Sequence, residues 1–468
     1  MNELPRITPE DVGISSKTLI RLIESLNELD TLNSIMIMRD GKVCLEGWWT
    51  PYTPELPHML FSLSKSFVSA AIGIGIGEGR FSASDKLIAF FPEYNSSVID
   101  EKVRKITLHH LLSMTSGHAK CAMESMLKDK DNDYIRGFLS SHLTYAPGTH
   151  FAYNSAATYM LSALIKKITG QNVREYLMPR LFYPLGIVPG IWESCPQSIN
   201  FGGWGLYLTT EDIAKFANLL LNNGYHNGKQ LIPADYLFEA TRKQSDNSMN
   251  EAPDWKLGYG YQFWMSKYGF RADGASGQFA LVIPDKKLAV AITSCLDNMQ
   301  DILTIMWEEL IPELNDKPLP EDSRAHQYLL SVLSGLSVNT TDGDLDRRNS
   351  NCFFEFEENS AGIQSCSVEF GDNECAMTFN TVRRIEQLCA GFGSHRINVF
   401  QLTDTMPHPT VASAAWKDKD ILEIHTFCLD GTFRDIFRIN FKESQQPLTR
   451  TSRCSTFRPI MPELLIKQ

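Results

Sequence analysis

The sequence predicts a mixed α/β (α+β) domain with a helical middle region, followed by a C-terminal antiparallel all-β domain. Two observations support this fold class: helical and strand-like patterns alternate in the first part of the chain, and short strand-like segments separated by turns fill the last part. We therefore divide the 468 residues into a mixed domain over 1–314, a linker with one helix over 315–350, and a β domain over 351–468.

The mixed domain is predicted to contain one sheet whose N-terminal and C-terminal strands pair across the helices. A hairpin is expected over 34–43, because Asp40-Gly41 between two apolar runs is a strong turn signal. Apolar periodicity predicts helices over 62–79, 159–169, 210–222 and 299–310. A strand is expected over 258–265, and a hairpin with its turn at Pro284-Asp285 is expected over 279–294.

The β domain is predicted from about seven short segments with strand-like composition, separated by turn residues such as Gly371-Asp372 and Asp430-Gly431. In chain order these segments are CFFEFEE, IQSCSVEF, CAMTFN, INVFQL, ASAAWK, ILEIHTF and TFRDIFRINF. They predict a small antiparallel sheet or barrel, and this part of the sequence contains no catalytic motif that we recognise.

Composition and charge exclude several classes of partner. The chain has 44 Lys and Arg against 55 Asp and Glu, a formal charge of −11, so we expect it to bind neither nucleic acid nor an anionic membrane surface. A hydrophobic fraction of 43% indicates a folded core. No apolar run approaches the ~18 residues of a membrane span. The oligomeric state is not predicted by the sequence.

The N-terminal segment and the cysteines indicate the compartment. Residues 1–16 lack the basic and apolar pattern of a secretory signal. The ten cysteines form no C-x-x-C pair, and no histidine pair has zinc spacing, so the sequence predicts no metal site, no cofactor and no disulfide framework. We therefore expect reduced thiols and a cytoplasmic location.

The first candidate for chemistry is the S-x-x-K element from Ser62 to Lys65, which lies in an apolar predicted helix. This spacing puts both side chains on one helix face, one turn apart. A serine hydroxyl becomes a nucleophile when a base takes its proton, and a buried lysine with a lowered pKa can be that base. A second match, Ser125 to Lys128, lies in a polar stretch and is interpreted as a solvated helix face.

Two further elements stand at suitable places along the chain. Tyr153 precedes a predicted helix, with Asn154 and Ser155 as capping-type residues, and a phenol beside a lysine cation has a lowered pKa and can shuttle a proton. The glycine-rich stretch 272–278 leads into a strand, and an N–H there can form half of an oxyanion hole. A packed tyrosine and a plain turn remain open as the alternative interpretations.

Together these elements resemble the serine β-lactamase and penicillin-binding-protein superfamily, and in particular the class C β-lactamase-related hydrolases. Further stretches that are similar to that branch are ITLHHLLSMTSGH, YMLSALIKKITGQNVREYLMPRLFYPLGI and GGWGLYLTTEDIAKFANLLLNNG. The resemblance covers about residues 8–312 and implies a β-lactamase/transpeptidase-like domain. The C-terminal β region resembles extra domains that are appended to some members.

The resemblance implies a two-step acyl transfer without a cofactor. Ser62 would be acylated, while Lys65 and Tyr153 would exchange protons. The N–H groups of Ser62 and Ala275 would form the oxyanion hole. Residues that the resemblance implies in substrate contact are Asn154, Ser155, Trp204 and Gly274.

Two departures from the family pattern bear on the substrate. The usual Tyr-x-Asn motif is Tyr153-Asn154-Ser155 here, and Ala272 stands where a Lys or His usually helps to bind a substrate carboxylate. Successive side chains of a strand point to opposite faces, so the side chain of Arg271 is expected to point away from the face of Ala272. The expected partner is therefore a neutral small-molecule ester or amide.

The predicted function is a serine hydrolase of the carboxylesterase or amidase type. Two alternatives remain open: a β-lactamase or D-amino-acid peptidase, and a non-catalytic binding or sensor protein that kept the fold. Trp204 in the GGWG stretch has two interpretations, as a residue of the cleft wall or as a core tryptophan.

Overall fold

The computed structural model describes residues 3–94, 99–346, 350–402, 406–453 and 461–467. Its α-helices are α1 (Ser16–Asn27), α2 (Ser64–Gly77), α3 (Leu108–Leu112), α4 (Met123–Leu127), α5 (Tyr134–Leu139), α6 (Ser155–Thr169), α7 (Val173–Leu177), α8 (Tyr183–Leu185), α9 (Thr210–Leu221), α10 (Ala234–Ala240), α11 (Gln300–Ile305) and α12 (Ser323–Ser334). The four predicted helices of the mixed domain are confirmed, the last as α11 and a following π-helical turn over Met306–Leu310.

The mixed domain is built around a six-stranded antiparallel sheet in the order β2-β1-β10-β9-β8-β7. Its strands, together with those of the two-stranded sheets β3–β4 and β5–β6, are β1 (Leu32–Arg39), β2 (Lys42–Trp48), β3 (His58–Met59), β4 (Tyr207–Leu208), β5 (Tyr225–His226), β6 (Lys229–Gln230), β7 (Trp264–Ser266), β8 (Gly269–Gly274), β9 (Gln278–Ile283) and β10 (Leu288–Ser294). The β1–β2 and β9–β10 hairpins and the pairing of β1 with β10 are confirmed.

Side-chain alternation gives this sheet two buried faces. Met36 and Ala280 lie on the face that packs with α2 and α9, whereas Ile35 and Leu281 lie on the face that packs with α1 and α11. Helix α2 runs through the interior, where a Cβ on Gly73 would come within 2.4 Å of a neighbouring tyrosine ring. Small residues on α2 therefore permit close packing around the helix that follows the S-x-x-K serine.

The prediction of a strand over 258–265 was wrong for most of its length. Only β7, from Trp264 to Ser266, belongs to the sheet. A Cβ on Gly260 would lie 2.1 Å from the carbonyl oxygen of Ala240, so this segment passes against another backbone instead of pairing in the sheet. Apolar composition predicted the burial of the segment but not its geometry.

The C-terminal region is a nine-stranded, curled and mostly antiparallel half-barrel. Its strands are β11 (Cys352–Glu355), β12 (Ile363–Phe370), β13 (Glu374–Thr381), β14 (Ile385–Phe392), β15 (Arg396–Phe400), β16 (His408–Trp416), β17 (Ile421–Cys428), β18 (Arg434–Asn440) and β19 (Leu448–Arg453). The sequence reading missed β14 and β19. The parallel pairing of β14 with β16 was not predicted either. Turn signals indicate which consecutive strands pair, and they give no information about pairing between non-consecutive strands.

The half-barrel packs directly on the mixed domain. Met59 donates its N–H to the carbonyl of Asp430 at 2.8 Å, and Arg434 Nη1 donates to the carbonyl of Asp30 at 2.8 Å. Val411 of β16 lies in the same apolar core as α1. The contact at Met59 brings the β domain next to the segment that leads into Ser62.

Among the described helices, none has both the length and the apolar content that a membrane crossing requires.

Candidate active site

Ser62 lies in a 3₁₀ turn over Phe61–Leu63 at the N-terminal end of α2. Phe61 has a φ of +47°, a left-handed conformation that costs free energy for a non-glycine residue and needs support from its surroundings. That support includes a hydrogen bond from Leu60 N to Leu206 O at 2.9 Å and one from Leu63 N to Leu60 O at 3.1 Å. The serine is therefore held on a strained turn by backbone contacts on both sides.

Lys65 follows one helical turn later and contacts Ser62 directly. Its Nζ donates to Ser62 Oγ at 3.1 Å and to the carbonyl of Gly203 at 2.7 Å. The residue is 1% exposed. Burial lowers the pKa of Lys65 to about 7, although the nearby charge of Asp273 opposes this shift. A large fraction of free amine is therefore present at neutral pH, as a proton acceptor requires.

The lowered pKa of Lys65 predicts the pH dependence of any reaction at Ser62. A lysine accepts a proton only when it is uncharged, so the rate of serine acylation should rise with pH, reach half its maximum near pH 7 and level off above it. The rate of covalent labelling by a fluorophosphonate, measured between about pH 5 and 9, checks this profile. A rate that falls through this range would contradict the role of the free amine.

Tyr153 joins the same group from the loop before α6. Its hydroxyl forms a hydrogen bond with Ser62, and Lys65 Nζ lies 4.7 Å from the centroid of its ring. The ring also stacks on Trp264 at 5.3 Å. Burial raises the pKa of Tyr153, and the charge of Asp273 raises it further. The expected lowering of this pKa by the lysine was therefore wrong, and the residue stays a protonated phenol.

The glycine-rich stretch forms the end of β8 and the turn that follows it. A Cβ on Gly274 would lie 2.0 Å from the carbonyl oxygen of Leu60, so only glycine lets β8 approach the turn that carries Ser62. Ala275 is half-buried and packs beside Phe61. Gln278 Nε2 holds this turn through the Ala275 carbonyl at 3.0 Å. The stretch thus brings the backbone of Ala275 close to the serine turn.

No cation occupies the position of Ala272, which is 1% exposed. Arg271 is fully buried, and its Nε donates to Asp273 at 3.0 Å while Nη1 donates to the carbonyls of Asp254 and Met265. The carboxylate of Asp273 keeps the arginine paired beneath the sheet. The guanidinium therefore does not substitute for the missing cation.

The four residues implied in substrate contact differ in their surroundings. Asn154 is fully buried, its side-chain oxygen accepts the N–H groups of Ala156 and Ala122, and its amide nitrogen is buried without a hydrogen-bond partner among the described residues. Ser155 and Trp204 are half-buried on the wall of a cavity beside Ser62. Gly274 permits the close backbone approach at Leu60.

The cavity beside Ser62 has a volume of about 570 Å³. Its wall is formed by Met59, Phe61, Ser62, Ser155, Glu193, Ser194, Phe201, Gly203, Trp204, Tyr207, Met406, His408 and Phe433. The sequence reading missed Glu193, which lies near no recognised motif. It also missed the three residues from the β domain, because nothing local in that domain indicates what it packs against.

One group of side chains has the composition of a metal site. The ligand atoms of His408, Cys428 and Asp430 lie within 4.8 Å of one another. His408 Nδ1 lies 3.0 Å and Cys428 Sγ 2.9 Å from the same Asp430 oxygen. Hydrogen bonds within the group therefore account for its arrangement at the contact between the two domains.

The fold of the mixed domain is that of penicillin-binding-protein-like and β-lactamase-like proteins. Residues 31–302 match the Beta-lactamase family, and the chain belongs to that family. A putative 6-aminohexanoate-dimer hydrolase from Bacillus anthracis has a similar fold, with a TM-score of 0.52 at 20% identity over 70% of this chain and 88% of its own.

Two curated relatives are similar to parts of the sequence. The 6-aminohexanoate-dimer hydrolase of Paenarthrobacter ureafaciens is 22% identical over 242 residues, which cover 49% of this chain and 62% of the relative. The D-aminopeptidase of Brucella anthropi is 28% identical over 165 residues, which cover 33% of this chain and 31% of the relative. The chain thus spans less than two thirds of the length of these two relatives.

Proposed function

We propose that this chain is a serine hydrolase that cleaves an ester or amide bond through an acyl-enzyme on Ser62. The observation that carries the proposal is the 3.1 Å contact of Lys65 Nζ with Ser62 Oγ, made by an amine whose pKa burial lowers to about 7. The names of the similar proteins, a dimer hydrolase and an aminopeptidase, support a hydrolytic reaction.

The reaction follows from the positions of the polar groups. Neutral Lys65 takes the proton of Ser62 Oγ, and the oxygen attacks the carbonyl carbon of the substrate. The N–H groups of Ser62 and Ala275 stabilise the oxyanion. When the tetrahedral intermediate collapses, Tyr153 donates its proton to the leaving alcohol or amine and regains one from the lysine ammonium. Water then attacks the acyl-enzyme by the same route and releases the acid.

The charges around Ser62 favour a substrate that lacks a carboxylate at the position next to β8. Ala272 offers no charge there, and the buried pair of Arg271 with Asp273 offers none either. This disfavours the β-lactamase alternative and peptidases that bind a free C-terminal carboxylate. Hydrolysis of nitrocefin near background, beside clear turnover of a p-nitrophenyl ester, would support this choice.

A fluorophosphonate probe tests the proposal directly. We expect one adduct per chain, and peptide mapping should assign it to Ser62, because the probe reacts with activated serines. Ser125, the serine of the second S-x-x-K match, provides an internal comparison and should stay unmodified. Failure to label Ser62 would overturn the proposal and favour a non-catalytic binding or sensor protein.

We also propose that the substrate is met in a reducing compartment such as the cytoplasm. The nine cysteines that the structure describes form no disulfide with one another, which supports this location. Cys454 lies outside the described residues.

A further inference from the structure

The cavity beside Ser62 has mostly apolar and aromatic walls, and among the described residues Glu193 contributes a carboxylate to them. Phe201 and Trp204 stack on each other at 4.4 Å along one wall, and Phe61, Tyr207 and Phe433 are further ring-bearing lining residues. A carboxylate on an apolar wall is unusual because it loses hydration without gaining apolar contact. A cationic group bound beside this carboxylate would compensate for the lost hydration.

Glu193 is held firmly in this position. Its N–H donates to Gly205 O at 2.9 Å, and its carbonyl accepts Phe201 N at 3.0 Å. Gly205 has a φ of +88°, and a Cβ there would lie 2.6 Å from the Cβ of Glu193. Only glycine therefore lets the GGWG segment pass so close to the glutamate. These contacts fix the backbone of Glu193 beside the cavity, and the hydrogen bond from Trp204 Nε1 orients its carboxylate.

The carboxylate of Glu193 accepts one hydrogen bond and has no lysine or arginine counter-ion among the described residues. Its Oε2 accepts Trp204 Nε1 at 3.2 Å. Within the described residues, no lysine or arginine forms an ion pair with it. Burial raises the pKa of Glu193, and the hydrogen bond from Trp204 and the neighbouring His408 oppose this shift. A bound cation would restore the interaction that burial removes.

We propose that this cavity binds a primary ammonium group of the substrate, with Glu193 as its counter-ion. A carboxylate forms strong charge-assisted hydrogen bonds with an ammonium, and aromatic faces attract the same cation. The methylene chain that carries the ammonium contacts Met406 and Phe433, so the β domain forms part of the subsite. The inference rests on the proposed function, because Ser62 opens into the same cavity.

An anionic substrate group does not fit this subsite. His408 is the basic side chain on the cavity wall within the described residues, and its Nδ1 lies 3.0 Å from the Asp430 carboxylate. Among the described residues, the charged groups that line the cavity are Glu193 and His408, and those directly behind its wall are Asp430 and Lys65. Even with both basic groups protonated, the two carboxylates balance them, so the sum of these charges is not positive. The proposed substrate differs from the neutral ester or amide expected from the sequence, because it carries a positive charge away from the scissile bond.

A ligand pair that differs only in charge tests the proposal without requiring turnover. Titrations of the wild-type protein with hexylammonium and with 1-hexanol, followed by ligand-observed NMR, should give a Kd at least about tenfold lower for the ammonium. In Glu193→Gln, which retains an oxygen that can accept the Trp204 N–H, this ratio should fall to about one. Glu24→Gln, an exposed carboxylate on α1, should keep the wild-type ratio.

The outcomes separate this inference from the proposed function. Equal affinities in the wild-type protein, tighter binding of the alcohol, no binding of either ligand, or an unchanged ratio in Glu193→Gln would each overturn the inference. Fluorophosphonate labelling of Ser62 is measured on the same samples. If labelling succeeds and the ammonium preference is absent, only the inference fails, whereas failed labelling rejects the proposed function whatever the binding ratio.

Discussion

Replacing Ser62 or Lys65 by alanine is expected to lower kcat/KM for a p-nitrophenyl ester by at least about a thousandfold. Ser62→Ala removes the nucleophile itself. Lys65→Ala removes the amine that lies 3.1 Å from the serine oxygen, and a serine hydroxyl without a base is a poor nucleophile. Steady-state kinetics, together with intact-protein mass spectrometry of the acyl-enzyme, measure both effects.

The second S-x-x-K match supplies controls with the same spacing. Ser125 and Lys128 lie at α4, both are exposed, and Lys128 pairs with Glu124 on the same helix. Ser125→Ala and Lys128→Ala should therefore keep the wild-type rate, since neither side chain lines the cavity beside Ser62. The assigned mechanism would be wrong if Lys65→Ala, folded as judged by thermal unfolding, kept more than about a tenth of the activity.

Substituting Gly274 by alanine is expected to lower kcat/KM at least about a hundredfold and to reduce stability by about 1–3 kcal/mol. The new methyl group would lie 2.0 Å from the carbonyl oxygen of Leu60, a backbone atom that cannot rotate away. Either β8 or the turn that carries Ser62 must shift. That shift would separate the N–H of Ala275 from the serine, and the loss of one oxyanion-hole donor costs about 10²–10³ in rate.

Gly190→Ala is the matched control for this substitution. Gly190 is exposed, and a Cβ there meets no atom closer than 3.8 Å. Kinetics and thermal unfolding of both variants should show a defect in Gly274→Ala alone. Wild-type rate and stability in Gly274→Ala would mean that β8 does not need its close approach to Leu60.

Local patterns were sufficient for the parts of the fold that depend on neighbouring residues. The turn signal at Asp40-Gly41 predicted the β1–β2 hairpin, in which both residues have positive φ. Apolar periodicity predicted α9, and the spacing of Ser62 and Lys65 predicted two side chains one helical turn apart. These predictions were correct because the side-chain repeat of a helix or a strand is determined by a few neighbouring residues.

Sequence patterns gave wrong or missing predictions where the local structure depends on contacts with a segment that is distant in the chain. The stretch around Gly260 is apolar like a strand, yet it packs against the backbone of Ala240. The pairing of β14 with β16 is parallel and joins non-consecutive strands. The pKa of Tyr153 rises, because burial and the charge of Asp273 outweigh the effect of the hydrogen bond with Ser62. In each case the decisive contact is made by residues far away in the chain.

The sequence by itself determined that Ser62 and Lys65 share a helix face, that the glycine-rich stretch begins with the uncharged Ala272, and that a mixed domain precedes a β domain. Only the tertiary structure decided that Lys65 is buried enough for a pKa of about 7 and that the β domain forms part of the cavity wall. It also decided that Glu193 lies on the wall of that cavity without a lysine or arginine partner in the part of the chain that the structure describes. The physical reason is that burial and charge pairing are properties of packed surfaces, and residues distant in the chain create those surfaces.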